Sequence, residues 1–103
     1  MRHFIYTLRL IPKFRNEGNW TEKEAEIVSE HFNRLKNLQD EGKLILAGKT
    51  DAENDVGFGI VIFKAKNIIE AKKIMDNDPA VIKGIMTAEL NNYKVALISA
   101  ENI

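Results

Sequence analysis

His31 is the first candidate for chemistry, because an imidazole titrates near neutral pH and can act as a general acid or base. It falls in a stretch of helical periodicity, one residue off the apolar stripe of Ala25, Val28 and Phe32 and one turn after Ile27. That spacing puts the ring at the border between core and solvent, where a histidine can face a cleft. The same position also suits a histidine that merely packs against a helix edge, so a role in chemistry requires a carboxylate that orients the ring.

Asp78 is the candidate for that carboxylate, because it lies in a break between two helical segments from which its side chain can turn inward. The local sequence also allows a simpler interpretation. An aspartate at the N-cap followed by Pro79 at the first helical position is an ordinary start for a short helix. Both interpretations of Asp78 are open at this point.

An acidic loop resembles a calcium site only in part. Asp51, Glu53 and Asp55 stand at alternate positions, as the ligands of a calcium loop do. However, Val56 occupies the sixth position, where glycine is needed, and Ile62 the twelfth, where glutamate is needed. We therefore predict a solvated loop, from which Asp51 or Asp55 could still reach a cleft at the end of the sheet.

The sequence contains no recognisable cofactor motif. The glycines of Gly57-Phe58-Gly59 enter a strand rather than a helix and lack the third glycine of a dinucleotide fingerprint. Proton chemistry by a histidine and an aspartate needs no cofactor, so we predict none and no metal site. His3, Arg9 and Arg15 could supply cations to a small acidic ligand, although each also suits a surface position.

Length and composition limit the class of protein. The 103 residues suit one domain, spanning residues 1–103, and are too few for separate catalytic and binding domains. Fifteen basic and fifteen acidic residues are interspersed, which argues against nucleic acid and anionic membranes as partners. Cysteine is absent, and no signal peptide or membrane-spanning run is visible, so we expect a cytoplasmic protein.

The apolar periodicity predicts the elements that must position these residues. Alternation from Phe4 to Ile11 indicates a strand that ends at Pro12. Thr21 and Glu24 have the spacing of a capping box, so a long helix is predicted over 21–41. The other predicted elements are a strand over 43–47, a strand over 58–63, a helix from 68 to about 77, a short helix over 79–84 and a strand over 86–98.

The resulting βαββαβ order is that of the α+β ferredoxin-like sandwich, in which two helices cover one face of a four-stranded antiparallel sheet. The opposite face is also expected to be apolar, with side chains such as Ile5, Ile11, Val61 and Phe63. So large an apolar surface on a small protein needs a cover. We therefore predict a homodimer in which two copies pack sheet to sheet about a two-fold axis.

Several stretches resemble the YciI-like (YCII-related) domain family: residues 31–48, 57–61 and 70–79, and the closing strand after Gly84. The landmarks are the helix histidine, the Gly-x-Leu-x-x-Ala-Gly strand that ends at Gly48, and the Asp-Pro pair. The resemblance implies a dimeric α/β barrel with a His/Asp site in a cleft, carried here by His31 and Asp78. Related domains are similar to muconolactone isomerase or act in the dechlorination of aromatic compounds.

Two functional hypotheses follow. In the first, the protein is a small enzyme that binds a small cyclic or aromatic organic molecule, with His31 and Asp78 as an acid–base pair. In the second, the same cleft belongs to a non-catalytic ligand-binding or stress-associated dimeric module. A third, structural possibility is that the domain is chiefly a dimerisation scaffold. The sequence does not separate an enzyme from a binding module, and it does not identify the ligand.

Overall fold

The chain folds in the predicted order of strands and helices. The computed structural model describes residues 1–51 and 57–99. Its main elements are β1 (Arg2–Leu10), α1 (Glu22–Asp40), β2 (Leu44–Lys49), β3 (Gly59–Ala65), α2 (Ile68–Asp76), α3 (Pro79–Ile82) and β4 (Met86–Tyr93). Two short 3₁₀ turns, Pro12–Arg15 and Glu17–Asn19, connect β1 to α1. The fold is the predicted α+β ferredoxin-like sandwich.

The sheet is antiparallel with the strand order β2-β3-β1-β4. Phe4 lies opposite Phe63 and Tyr6 lies opposite Val61, so these four side chains share one face of the sheet. Helices α1 and α2 cover this helix-bearing face. The main core consists of buried side chains from β1, β3 and both helices: Phe4, Tyr6, Leu8, Leu35, Leu38, Val61, Phe63, Ala65, Ala71, Ile74 and Met75.

Helix α1 begins and ends where the sequence predicts. The Thr21 backbone N–H donates to Glu24 Oε1 at 2.9 Å, and the Lys23 N–H donates to Thr21 Oγ1 at 3.3 Å, which completes a capping box. At the other end, Gly42 has φ of 75° and the Lys43 N–H donates to the Leu38 carbonyl at 2.9 Å. This is the Schellman type of termination, which favours glycine because of the positive φ.

The prediction for the opposite face of the sheet was wrong for Val61 and Phe63. Both are buried beneath the helices, and the open face of β3 carries Ile60 and Ile62 instead. Because side chains alternate along a strand, an error of one residue in register moves the whole set to the other face. Ile5, which pairs with Ile62, does lie on the open face as expected.

Strand β4 is shorter than predicted. It ends at Tyr93, which pairs with His3, so the ladder with β1 has almost no residues left to pair beyond this point. The alternation that continues through Leu97 and Ile98 therefore marks an extended segment whose apolar side chains are exposed. Within residues 1–51 and 57–99, no helix has both the length and the apolar character that crossing a bilayer requires.

Candidate active site

His31 lies near the middle of α1, on the side of the helix that faces the protein. The buried side chains of this helix include Ile27, Leu35 and Leu38, whereas Phe32 is 60 % exposed. The side of α1 that faces the core is therefore rotated by about one residue from the predicted side. The sequence has apolar residues at two overlapping helical spacings, and the core uses the one that includes Ile27, Leu35 and Leu38. His31 falls inside the true stripe, and only 14 % of its side chain is exposed.

Asp78 is fully buried at the start of α3. Its Oδ1 accepts a hydrogen bond from the Ala80 backbone N–H at 3.0 Å, and Pro79 occupies the first turn. The residue is thus the N-cap that the sequence allowed. A carboxylate with no exposed surface needs further donors to replace the water it has lost.

His31 supplies one of these donors. Its Nδ1 lies 2.7 Å from Asp78 Oδ1 and 2.8 Å from Oδ2, so the structure brings the two predicted site residues into direct contact. When Asp78 is ionised it can only accept hydrogen bonds, and Nδ1 is then the atom of the pair that carries the proton. The other ring nitrogen, Nε2, then has a free lone pair and can accept a proton from a ligand.

Tyr6 is the residue of this site that the sequence analysis missed. Its hydroxyl donates to Asp78 Oδ2 at 2.7 Å, from the core-facing side of β1. Burial, followed by the negative charge of Asp78, raises the pKa of the Tyr6 hydroxyl far above its usual value, so it is a permanent donor. The available signal was a tyrosine at a core position of a strand, because a buried tyrosine hydroxyl normally finds a polar partner.

A cleft of about 850 Å³ opens beside His31. It lies between α1, the 3₁₀ turns after β1 and the adjoining ends of β2 and β3. Most of its lining is apolar, and Phe14 and Trp20 form an edge-to-face aromatic pair with ring centroids 6.1 Å apart. Among the described lining residues, the charged ones are Glu17 and Lys49. A largely apolar cleft with a few polar groups is typical of a site for a small organic molecule.

The other candidate residues do not join this site. Arg15 Nε donates to the Leu10 carbonyl at 3.1 Å, and the guanidinium of Arg9 stacks over Phe58 at 4.8 Å from the ring centroid. His3 Nδ1 accepts a hydrogen bond from the Val95 N–H at 3.3 Å. None of these three residues appears among those that line the cleft.

The acidic loop contributes no described contact to the cleft. Asp51 is exposed and is not a lining residue, whereas Asp55 and Glu53 lie outside the described residues. In the part of the chain that the structure describes, no group of three or more histidine, aspartate or glutamate side chains is placed to share a metal ion. The glycine motif leads into β3, as predicted.

Comparison with known families decides what kind of domain this is. Residues 6–90 match the model of the YCII-related domain. The chain belongs to this family. Tyr6, His31 and Asp78 all lie within the matched part of the YCII-related domain, as does most of the cleft.

A solved structure shares the fold of this YCII-related domain. It is the 5-chloro-2-hydroxyhydroquinone dehydrochlorinase (TftG) from Burkholderia phenoliruptrix AC1100, in complex with 2,5-dihydroxybenzoquinone. The two chains superpose with a TM-score of 0.67 and 18 % sequence identity, over 89 % of this chain and 93 % of the other. No curated protein matches the sequence.

Proposed function

We propose that this protein is a small enzyme that moves protons on a cyclic or aromatic organic molecule bound in the cleft. The observation that carries the proposal is the contact of His31 Nδ1 with a fully buried carboxylate, at the wall of an apolar cleft. Asp78 fixes the ring and stabilises the imidazolium that forms when Nε2 accepts a proton. The reaction classes that need only such a pair are isomerisation and elimination next to a carbonyl or hydroxyl group.

The cleft supports a flat ligand of one or two rings. Its walls include Leu8, Val28 and Leu35, and aromatic side chains stand at its edge. The dehydrochlorinase with the same fold binds 2,5-dihydroxybenzoquinone, a planar ring that bears hydroxyl and carbonyl groups. Such a molecule offers acidic protons to a base and an apolar face to the cleft, so it is the natural first probe.

The test combines binding and proton exchange. Wild type and His31→Asn are incubated in D₂O with 2,5-dihydroxybenzoquinone and with a set of small cyclic ketones and phenols, and NMR follows binding and deuterium uptake at carbon. An enzyme incorporates deuterium faster than buffer, and His31→Asn loses roughly 10²-fold or more of that rate while affinity changes by only about threefold. A non-catalytic binding module, the alternative, shows no exchange above buffer, and the substitution then alters affinity alone. Ligand-induced shifts located away from Leu8, Trp20 and Phe58 would rule out the cleft as the site.

We also propose that the protein forms a homodimer through the open face of the sheet, as a dimeric α/β barrel. Ile5 and Ile60 lie on this face and are partly exposed, and the bulge in β2 turns the partly exposed Leu46 toward it, opposite Ile62, which is already buried in the single chain. A second copy would remove this apolar surface from water. The cytoplasmic location remains an expectation from the sequence.

Sedimentation equilibrium tests the dimer. The wild-type chain should have twice its monomer mass, and Ile5→Glu should shift it toward the monomer because a charge would be buried at the interface. Ile82→Glu is the matched control, since Ile82 is an exposed isoleucine that belongs to α3 and not to a strand of the sheet. A monomeric wild type would contradict the proposal.

A further inference from the structure

Tyr6 contacts Asp78 of the proposed acid–base pair from within the core, without lining the cleft. Its hydroxyl lies 2.7 Å from Asp78 Oδ2, its side chain is fully buried, and it is not among the residues that line the cleft. Tyr6 and His31 therefore share Asp78 as a hydrogen-bond partner, and this shared carboxylate connects the two residues.

The hydrogen bonds around Asp78 are evenly divided between its two oxygens. Oδ1 accepts from the Ala80 N–H and from His31 Nδ1, whereas Oδ2 accepts from the Tyr6 hydroxyl and from the same His31 nitrogen. The donors compete for one negative charge, because each hydrogen bond to a carboxylate reduces the charge available to the others. Tyr6 therefore weakens the interaction between the Asp78 carboxylate and the His31 imidazole.

We propose that Tyr6 is a positioning residue that sets the basicity of His31: it fixes Asp78 Oδ2 and shares its negative charge, and so limits how strongly the carboxylate stabilises the imidazolium. The inference rests on the proposed function, in which His31 exchanges protons with a ligand. Without the Tyr6 hydroxyl, Asp78 interacts more strongly with protonated His31. We therefore expect the titration midpoint of His31 to lie at higher pH in such a variant than in wild type.

Other charges lie near His31 and act on both forms of the ring. Arg34, on the same helix, is close enough to Tyr6 to oppose the rise in the pKa of its hydroxyl. Among the described residues, charged groups on the neighbouring elements include Glu30 of α1, which pairs with Lys83 after α3, and the two charged residues that line the cleft, Glu17 of the second 3₁₀ turn and Lys49 of β2. All of them are retained in the variants below, so the differences between variants report on Tyr6.

The experiment compares Tyr6→Phe with wild type in the full chain, using NMR to follow the ring protons of His31 across pH. We expect the midpoint to rise by roughly 0.5 to 1 pH unit, which is less than the about one to two units that a direct hydrogen bond to a charged group represents, because Tyr6 acts on His31 through Asp78. Tyr93→Phe is the matched control, because Tyr93 lies on the open face of β4, 43 % exposed, and should leave the midpoint unchanged. An unchanged or lowered midpoint in Tyr6→Phe overturns the inference.

A second variant keeps the test decisive if Tyr6→Phe does not fold. Biosynthetic 3-fluorotyrosine in a Tyr93→Phe chain labels Tyr6 alone, since the sequence has two tyrosines. Fluorine makes the hydroxyl a stronger donor without removing it, so the His31 midpoint should fall below that of unlabelled Tyr93→Phe. A midpoint that stays the same or rises contradicts the proposed role of Tyr6.

The outcome is separable from that of the proposed function. Neither titration requires a substrate, so both can be read even when no probe reacts. Asp78→Asn tests the pair itself: a His31 midpoint unaffected by this change removes the basis for acid–base chemistry. If Asp78→Asn shifts the midpoint and Tyr6→Phe does not, the pair stands and only the role of Tyr6 fails.

Discussion

Gly59 lies directly opposite Leu8 in the β1–β3 ladder, on the helix-bearing face of the sheet. On the other side of Gly59, its partner in β2 is Lys49. All three residues line the cleft, and Gly59 contributes no side chain to it. The cleft beside His31 therefore exists partly because Gly59, on the strand between β1 and β2, places no side chain in it.

Filling this position should close the cleft without unfolding the protein. A Cβ at Gly59 would lie 3.5 Å from the Gly48 carbonyl oxygen and 3.8 Å from Leu8 Cβ, which is ordinary van der Waals contact. We expect Gly59→Ala to keep the free energy of unfolding within about 1 kcal/mol of wild type, and Gly59→Leu to lower the affinity for a cleft ligand at least tenfold. Urea unfolding and NMR titration with 2,5-dihydroxybenzoquinone measure the two effects. Equal affinity in Gly59→Leu would show that ligands bind elsewhere.

Asp78 should be important for stability as well as for the proposed chemistry. Asp78→Ala removes the N-cap of α3 and leaves the Tyr6 hydroxyl and His31 Nδ1 without an acceptor. We expect the free energy of unfolding to fall by about 2–4 kcal/mol. The matched control is Asp76→Ala, where an exposed ion pair with Lys72 at 2.7 Å is lost for less than about 1 kcal/mol. Similar losses in both variants, measured by urea unfolding, would contradict this account.

Alkaline pH should destabilise the protein through Tyr6. Its pKa is raised in the folded state, so its contribution to stability is fully present below the pKa of an unfolded tyrosine, near 10, and is lost as pH rises above that value. Between pH 9 and pH 11, wild type should therefore lose more free energy of unfolding than Tyr6→Phe does. Tyr93→Phe should behave like wild type in the same series, and parallel pH curves for wild type and Tyr6→Phe would contradict the expectation.

The capping box should stabilise α1 by a measurable amount. Thr21→Ala removes the acceptor for the Lys23 N–H, and we expect a loss of about 1 kcal/mol in the free energy of unfolding at pH 7. Ser29→Ala is the control, because Ser29 is exposed within the same helix and alanine is the better helix former. Ser29→Ala should be neutral or slightly stabilising, and a loss that matches that of Thr21→Ala would exclude a specific effect of the cap.

The stabilisation of α1 by the capping box should also depend on pH. Hydrogen bonds from the Thr21 side chain and backbone lower the pKa of Glu24 in the folded state. The contribution of Glu24 to stability is therefore present above the pKa of an unfolded glutamate, about 4.3, and is lost as pH falls through the lower folded value. The difference between wild type and Thr21→Ala should accordingly shrink as the pH is lowered from 6 to 3, as measured by urea unfolding.

Local signals predicted the fold well. The capping box at Thr21, the stop at Gly42 and the break before Pro79 depend on neighbouring residues, and all three are confirmed. The register of the strands, in contrast, depends on residues that are distant in the sequence. The face of β3 that carries Val61 and the end of β4 at Tyr93 are both set by pairing with β1, which periodicity alone does not encode.

The candidate site was predicted only in part, because local signals point to single residues and not to their distant partners. His31 and Asp78 each carry a local signal, a helix-border position and a capping position, and the structure brings them together as the resemblance implied. Tyr6 looked like an ordinary core residue of a strand, because its partner lies 72 residues further along the chain. Gly59 has no side chain and so gives no chemical signal in the sequence. Its role in leaving space for the cleft follows from its position in the sheet, between Leu8 of β1 and Lys49 of β2.

The carboxylate of Asp78 also has a consequence for the order of folding. Its partners Tyr6 and His31 are separated from it by 72 and 47 residues, so both contacts require large loops to close. We expect α1 to form early from local contacts, whereas the site forms only when α3 docks against α1 and β1. During synthesis on the ribosome, His31 therefore remains an ordinary helix histidine until residue 78 has emerged, and the proposed acid–base pair can form only after that point.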